Sequence, residues 1–278
     1  PTVGTYEGMR LDVSLPSMLF LIAVAVVFLY GRYEKKVKSL FEGRELRTRD
    51  VVLLVVAMSG MVTVLAVTHF WLGTAIMFFF LYVYSVVLFL FTYLVVPKWY
   101  VGVLVAALFD ELYLLYRDTS IWNPYLLNLF AIIFVICISV YLGGLFTWKT
   151  TAVFVVLLTA MDIVQVLVTG FMVESSEKLL ALRFPVAVIL PTFPSEGRIL
   201  LGLGDIFLFG LLGIQMMQRY GRKSGLASTA LATGVFLMLE TILLNYYPKA
   251  FPATVLIVGG WLTAVGARYL DSRRSRRI

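Results

Sequence analysis

Gly197–Met217 reads GRILLGLGDIFLFGLLGIQMM. From Ile199 onward it is mostly apolar over about the length of one membrane crossing, yet it carries Asp205 with glycines at 202 and 204 just before it. A carboxylate at the centre of a membrane helix costs roughly 2.5–3.5 kcal/mol on insertion scales. A glycine there costs about 1 kcal/mol relative to alanine. Both costs fall within the short stretch from Gly202 to Asp205, so the rest of the chain has to account for them.

The 278 residues are 61% hydrophobic and only 14% charged, where a soluble domain is about one quarter charged. Apolar runs near 20 residues recur along the whole length and read as repeated spans. The one cysteine, Cys137, rules out an internal disulfide. The one histidine, His69, reads as an interfacial residue. No set of His, Cys and carboxylates has metal-ligand spacing, so neither metal nor cofactor is expected. A net charge of +7 in such a chain points to cytoplasmic loops and anionic lipid rather than to nucleic acid.

The spacing predicts nine transmembrane helices, near 15–31, 50–68, 72–96, 100–116, 124–146, 151–172, 199–219, 225–246 and 251–270. With loops assigned alternately, 17 of the 23 Lys and Arg fall on one side and 6 on the other. The positive-inside rule makes the richer side cytoplasmic, giving an external N-terminus and a cytoplasmic C-terminus in a cell membrane. No signal-peptide cleavage pattern is present, so the first span is expected to be retained. The fold class is an all-α polytopic membrane protein. Helices 1–6 occupy residues 1–172, an extracytoplasmic linker 173–198, and helices 7–9 residues 199–278. Within the linker, Val186, Ala187, Val188, Ile189 and Leu190 lie between Pro185 and Pro191 and read as one short strand. An apolar strand at a membrane surface needs something to pair with: an unwound substrate segment held extended beside Asp205, or else packing within the protein itself.

Several spans carry carboxylates. Asp110 and Glu111 are adjacent, point about 100° apart on a helix and cannot face each other; they read as structural, as does Glu240. Asp162 and Asp205 differ. They lie about ten and about six or seven residues from the outer ends of two consecutive antiparallel helices, depths of roughly 15 and 10 Å. Gly202 and Gly204 would let span 7 pack closely at that level, and would also free the backbone to approach a ligand. Two nearby carboxylates share one proton. One can then take a proton from water while the other donates to a carbonyl, which hydrolyses a peptide bond without a metal. A cation or proton pathway would use the same pair.

Three motifs resemble those of the GxGD intramembrane aspartyl proteases, the presenilins and signal peptide peptidases with their archaeal homologues. Leu201–Asp205, LGLGD, is similar to the span 7 motif through Gly202, Gly204 and Asp205, with Leu203 between the glycines. AMDIVQVLVTGFMV from Ala160 resembles the span 6 motif with Asp162 as its aspartate. FPATVLIVGG from Phe251 resembles the Pro-Ala-Leu motif that opens span 9. The resemblance implies catalysis by Asp162 and Asp205. It implies supporting roles for Met161, Gly202, Leu203, Gly204, Pro252, Ala253 and Thr254, and transmembrane or signal-peptide segments as substrates. It needs no cofactor and allows self-association. Two residues depart from the pattern: Met161 stands where the family has Tyr, and Thr254 where it has Leu. Prepilin peptidases also use GxGD, with fewer spans and an earlier first aspartate.

Overall fold

A computed structural model describes residues 11–67, 73–194, 198–246 and 251–274. His69, Arg10, Lys249, Arg276 and Arg277 lie outside the described residues.

Among the described residues, ten helices and one two-stranded sheet follow one another: α1 Ser14–Leu40, α2 Thr48–Val67, α3 Gly73–Val95, α4 Trp99–Tyr116, α5 Leu127–Gly143, α6 Trp148–Ile163, α7 Phe171–Ala181, β1 Ala187–Pro191, β2 Arg198–Gly202, α8 Leu203–Tyr220, α9 Arg222–Tyr246 and α10 Ala253–Arg274. A π-helical turn, Trp122–Leu126, leads into α5, and another, Val164–Val168, extends α6. Short polar signals set several ends. Thr147 and Thr150 form a reciprocal capping box at the start of α6. Asp12 accepts from the backbone of Ser14 and Leu15 and so caps α1.

Among the described residues, eight helices are long and apolar enough to cross a membrane: α1 to α6, α9 and α10, with α5 and α6 counted together with their π turns. Their outer faces carry Leu21, Val56, Leu104 and Met238, large apolar side chains left open to the surroundings. So much exposed apolar surface requires a bilayer. The chain is an all-α polytopic membrane protein with a small sheet.

The ninth expected span is built differently. Arg198–Gly202 is a strand, and the helix begins only at Leu203. An apolar strand running straight into an apolar helix shows no change of periodicity by which to divide them. Helix α8 is the centre of the bundle. Every residue from Ile206 to Met217 is buried, against α1, α5, α6, α9 and α10. A helix wrapped in protein can hold polar groups that lipid would reject. Gln215 donates from Nε2 to the Phe146 carbonyl at 3.0 Å, and Gln218 donates to the Tyr30 hydroxyl at 2.6 Å.

The linker expected at 173–198 is also more ordered than its polarity implies, because helix α7 occupies most of its first half. Gly170, with φ of 72°, turns the chain out of the π turn into α7. Glu174 and Lys178, four residues apart, form an ion pair along α7. Lys178 also donates to the Leu65 and Ala66 carbonyls at the end of α2. The following loop is fastened by buried aromatics: the hydroxyls of Tyr84 and Tyr113 and the indole of Trp122 donate to the carbonyls of Pro185, Leu182 and Arg183.

Candidate functional site

The sheet and the start of α8 form one unit. β1 pairs antiparallel with β2, with Ala187 opposite Gly202 and Pro191 opposite Arg198. The Leu203 N–H donates to the Val186 carbonyl, continuing the ladder into the first turn of α8. Asp205 is therefore presented three residues beyond a fixed strand.

Asp162, in the last turn of α6, and Asp205, in the first turn of α8, line the same cavity of about 250 Å³. The cavity is walled by α2 (Met61, Val62, Leu65), α7 (Met172, Ser175, Leu179), the sheet, and the chain entering α10 (Phe251, Pro252, Ala253). Its volume holds several waters, at about 30 Å³ each in the liquid. Among the described residues its lining is apolar except for the two aspartates, Ser175 and Ser176.

Two residues fix the Asp162 side. Thr254, in the first turn of α10, donates from Oγ1 to Asp162 Oδ2 at 2.7 Å, and both residues are buried. Gln165, three residues past Asp162, donates from Nε2 to the Ser59 carbonyl and hydroxyl at 3.1 and 3.0 Å, tying the π turn to α2. Gln165 was not singled out by sequence reasoning. Its signal was a lone amide in an apolar run close to a carboxylate.

The other expected site residues separate into two groups. Gly202, Leu203, Gly204, Pro252, Ala253, Val186 and Ala187 line the cavity. Met161 is turned away and packs against the main core, as do Val188 and Leu190.

Two readings of the local structure need correction. The glycines do not serve helix packing. A Cβ on Gly204 would meet nothing within 4 Å, and one on Gly202 would meet only the Asp205 carboxylate, at 3.5 Å. They keep space open beside Asp205, whereas close helix contact occurs deeper, as at Gly210 against Ser139 and Val26. The second correction concerns β1, whose edges are not left open for a substrate to pair with. β2 occupies one edge, and on the other the Asn128 side chain bonds both the N–H and the C=O of Ile189.

The remaining intramembrane carboxylates stand apart from the cavity lining. Asp110 accepts from Ser85 across the α3–α4 contact. Glu240 is 3% exposed, and neither of its oxygens has a hydrogen-bond partner among the described residues.

No known family profile matches the chain, and no curated protein does either.

Proposed function

We propose that the protein is an intramembrane aspartyl protease that hydrolyses peptide bonds of transmembrane or signal-peptide segments. The observation that carries this reading is that two aspartates from different helices line one apolar cavity within a membrane bundle. In this reading α8 is a ninth span and both termini keep the orientation given by the basic residues, outside for the N-terminus and cytoplasmic for the C-terminus. The bilayer and the substrate segment are the partners.

Chemically, the ionised aspartate removes a proton from a water, and the resulting hydroxide bonds to the carbonyl carbon. The protonated aspartate gives its proton to the carbonyl oxygen, forming a gem-diol. The first aspartate then protonates the amide nitrogen as the C–N bond breaks. The second recovers a proton from one hydroxyl, which becomes the new carbonyl.

The substrate has to arrive unwound, because a membrane helix hides its peptide bonds. The β2 edge suits this. In an antiparallel ladder alternate residues face the partner strand. With Leu203 and Val186 bonded, Leu201 and Ile199 face β1, and the N–H and C=O of Leu200 face outward. Leu200 lines the cavity, is 42% exposed, and its backbone groups meet no partner among the described residues. An extended substrate adds there as a third strand, two residues before Gly202.

A cation or proton pathway would use the same aspartates, but it needs polar groups leading away from them. Among the described residues the cavity walls are mostly apolar, which suits an apolar peptide better. The deciding experiment incubates the purified protein with a transmembrane peptide, with and without a transition-state-mimicking aspartyl protease inhibitor. Cleavage is expected, blocked by inhibitor and abolished by Asp162→Asn, by Asp205→Asn, and no further by both together. A single variant retaining normal turnover would remove the pair from the mechanism.

A further inference from the structure

The two carboxylates stand in different surroundings. Asp162 is 5% exposed and receives the Thr254 hydroxyl on Oδ2 at 2.7 Å. Thr254 is itself 3% exposed, so water does not compete well for that bond. It also sits in the first turn of α10, which starts at Ala253. There the backbone N–H groups lack acceptors within the helix, and the peptide dipoles place positive potential. Asp205 is half-buried and lines the same cavity. No described residue donates a hydrogen bond to it, and its carboxylate bends back over Gly202. The difference is therefore one of donors. Asp162 has a hydroxyl and a helix start aimed at it, and Asp205 has only its own helix start.

A donor to a carboxylate favours the ionised form, and two adjacent carboxylates hold one proton between them. The donor therefore decides which of the two keeps it. We propose that Thr254 is a positioning residue that makes Asp162 the ionised member of the pair and leaves the shared proton on Asp205. Resting on the protease reading, this assigns the roles. Asp162, anchored through Oδ2, takes the proton of water, and Asp205 donates to the substrate carbonyl. The location of the proton does not itself depend on proteolysis, and that separates the two ideas experimentally.

Infrared titration of the carboxyl C=O band reads the proton directly. In an Asp205→Asn background Asp162 titrates without its partner. There Thr254→Val, which removes the hydroxyl and keeps the shape, is expected to move the Asp162 transition up by about one pH unit. Thr254→Ser should leave it in place. In an Asp162→Asn background, Thr254→Val should leave the Asp205 transition unmoved. Thr254→Ala repeats the measurement should the valine protein not fold. With both aspartates present, the acid limb of the cleavage rate is expected to rise by the same amount in Thr254→Val and to return in Thr254→Ser. An unmoved Asp162 transition, or equal movement of both aspartates, overturns the proposal even where cleavage is seen. A moved Asp162 transition in a protein that cleaves nothing upholds the proton placement and rejects the protease reading.

Discussion

Asn128 holds Ile189 by both of its backbone groups: its Oδ1 accepts from the Ile189 N–H at 2.9 Å, and its Nδ2 donates to the Ile189 carbonyl at 2.7 Å. A side-chain amide here imitates a neighbouring strand. A two-stranded sheet is marginal alone, and this one carries the approach to Asp205. Asn128 closes the β1 edge, joins the sheet to α5 and leaves β2 as the open side.

Replacing Asn128 with Leu would leave two backbone groups without partners. Each unmade bond of this kind costs about 1–3 kcal/mol. Asn128→Leu is expected to lower the thermal midpoint in detergent by several degrees. Asn128→Asp should cost more, since a carboxylate oxygen would then face the Ile189 carbonyl. Differential scanning fluorimetry checks both, and a midpoint unchanged in either variant would show that the sheet is held from elsewhere.

Packing around α10 gives a second test. A Cβ on Gly260 would stand 2.6 Å from the Ala232 carbonyl oxygen, a backbone atom of α9 that cannot swing aside. Gly260→Ala therefore forces α9 and α10 apart, at the 1–3 kcal/mol typical of overpacking. That separation moves the start of α10, including Thr254. The expected result is a lower unfolding midpoint together with weaker inhibitor binding. Gly266→Ala on the same helix has open space for its methyl and should do neither.

How far the sequence reveals this architecture depends on what each element touches. The eight apolar helices are legible because lipid demands about 20 apolar residues in a row. Counting from the expected helix ends puts Asp162 about ten residues deep and Asp205 about six or seven. But α6 gives way to its π turn after Ile163 and α8 starts only at Leu203, so each aspartate sits in the terminal turn of its helix, and both still line one cavity. Arg198–Gly202 is illegible as a strand because ILLG continues smoothly into the helix behind it. Helix α7 is masked by its ESSEK segment, although Leu179 is buried in a core of aromatic residues. The motif resemblance brings Thr254 to the site, but its bond to Asp162 escapes any local reading, since the two lie 92 residues apart. Glu240 is legible as a buried acid from its place in an apolar run, and it is buried.

The open β2 edge yields the sharpest test of how a substrate is held. Proline lacks an N–H and fixes φ near −65°. At Leu200 the missing N–H is the one that faces outward, so the β1–β2 ladder keeps its bonds. At Leu201, by contrast, proline would remove a donor that faces β1. A substrate adding to β2 loses one backbone bond in Leu200→Pro, worth about 1 kcal/mol, and meets a ring where it should lie flat. Cleavage of a helical transmembrane peptide is expected to fall at least about tenfold, the equivalent of 1.4 kcal/mol. Binding of a small inhibitor that reaches only Asp162 and Asp205 should be preserved. Leu201→Pro should instead lose inhibitor binding and stability together, because Asp205 is positioned through that ladder. Full activity toward helical substrates in Leu200→Pro would mean that the unwound segment is held by side chains of the cavity wall and not by the sheet.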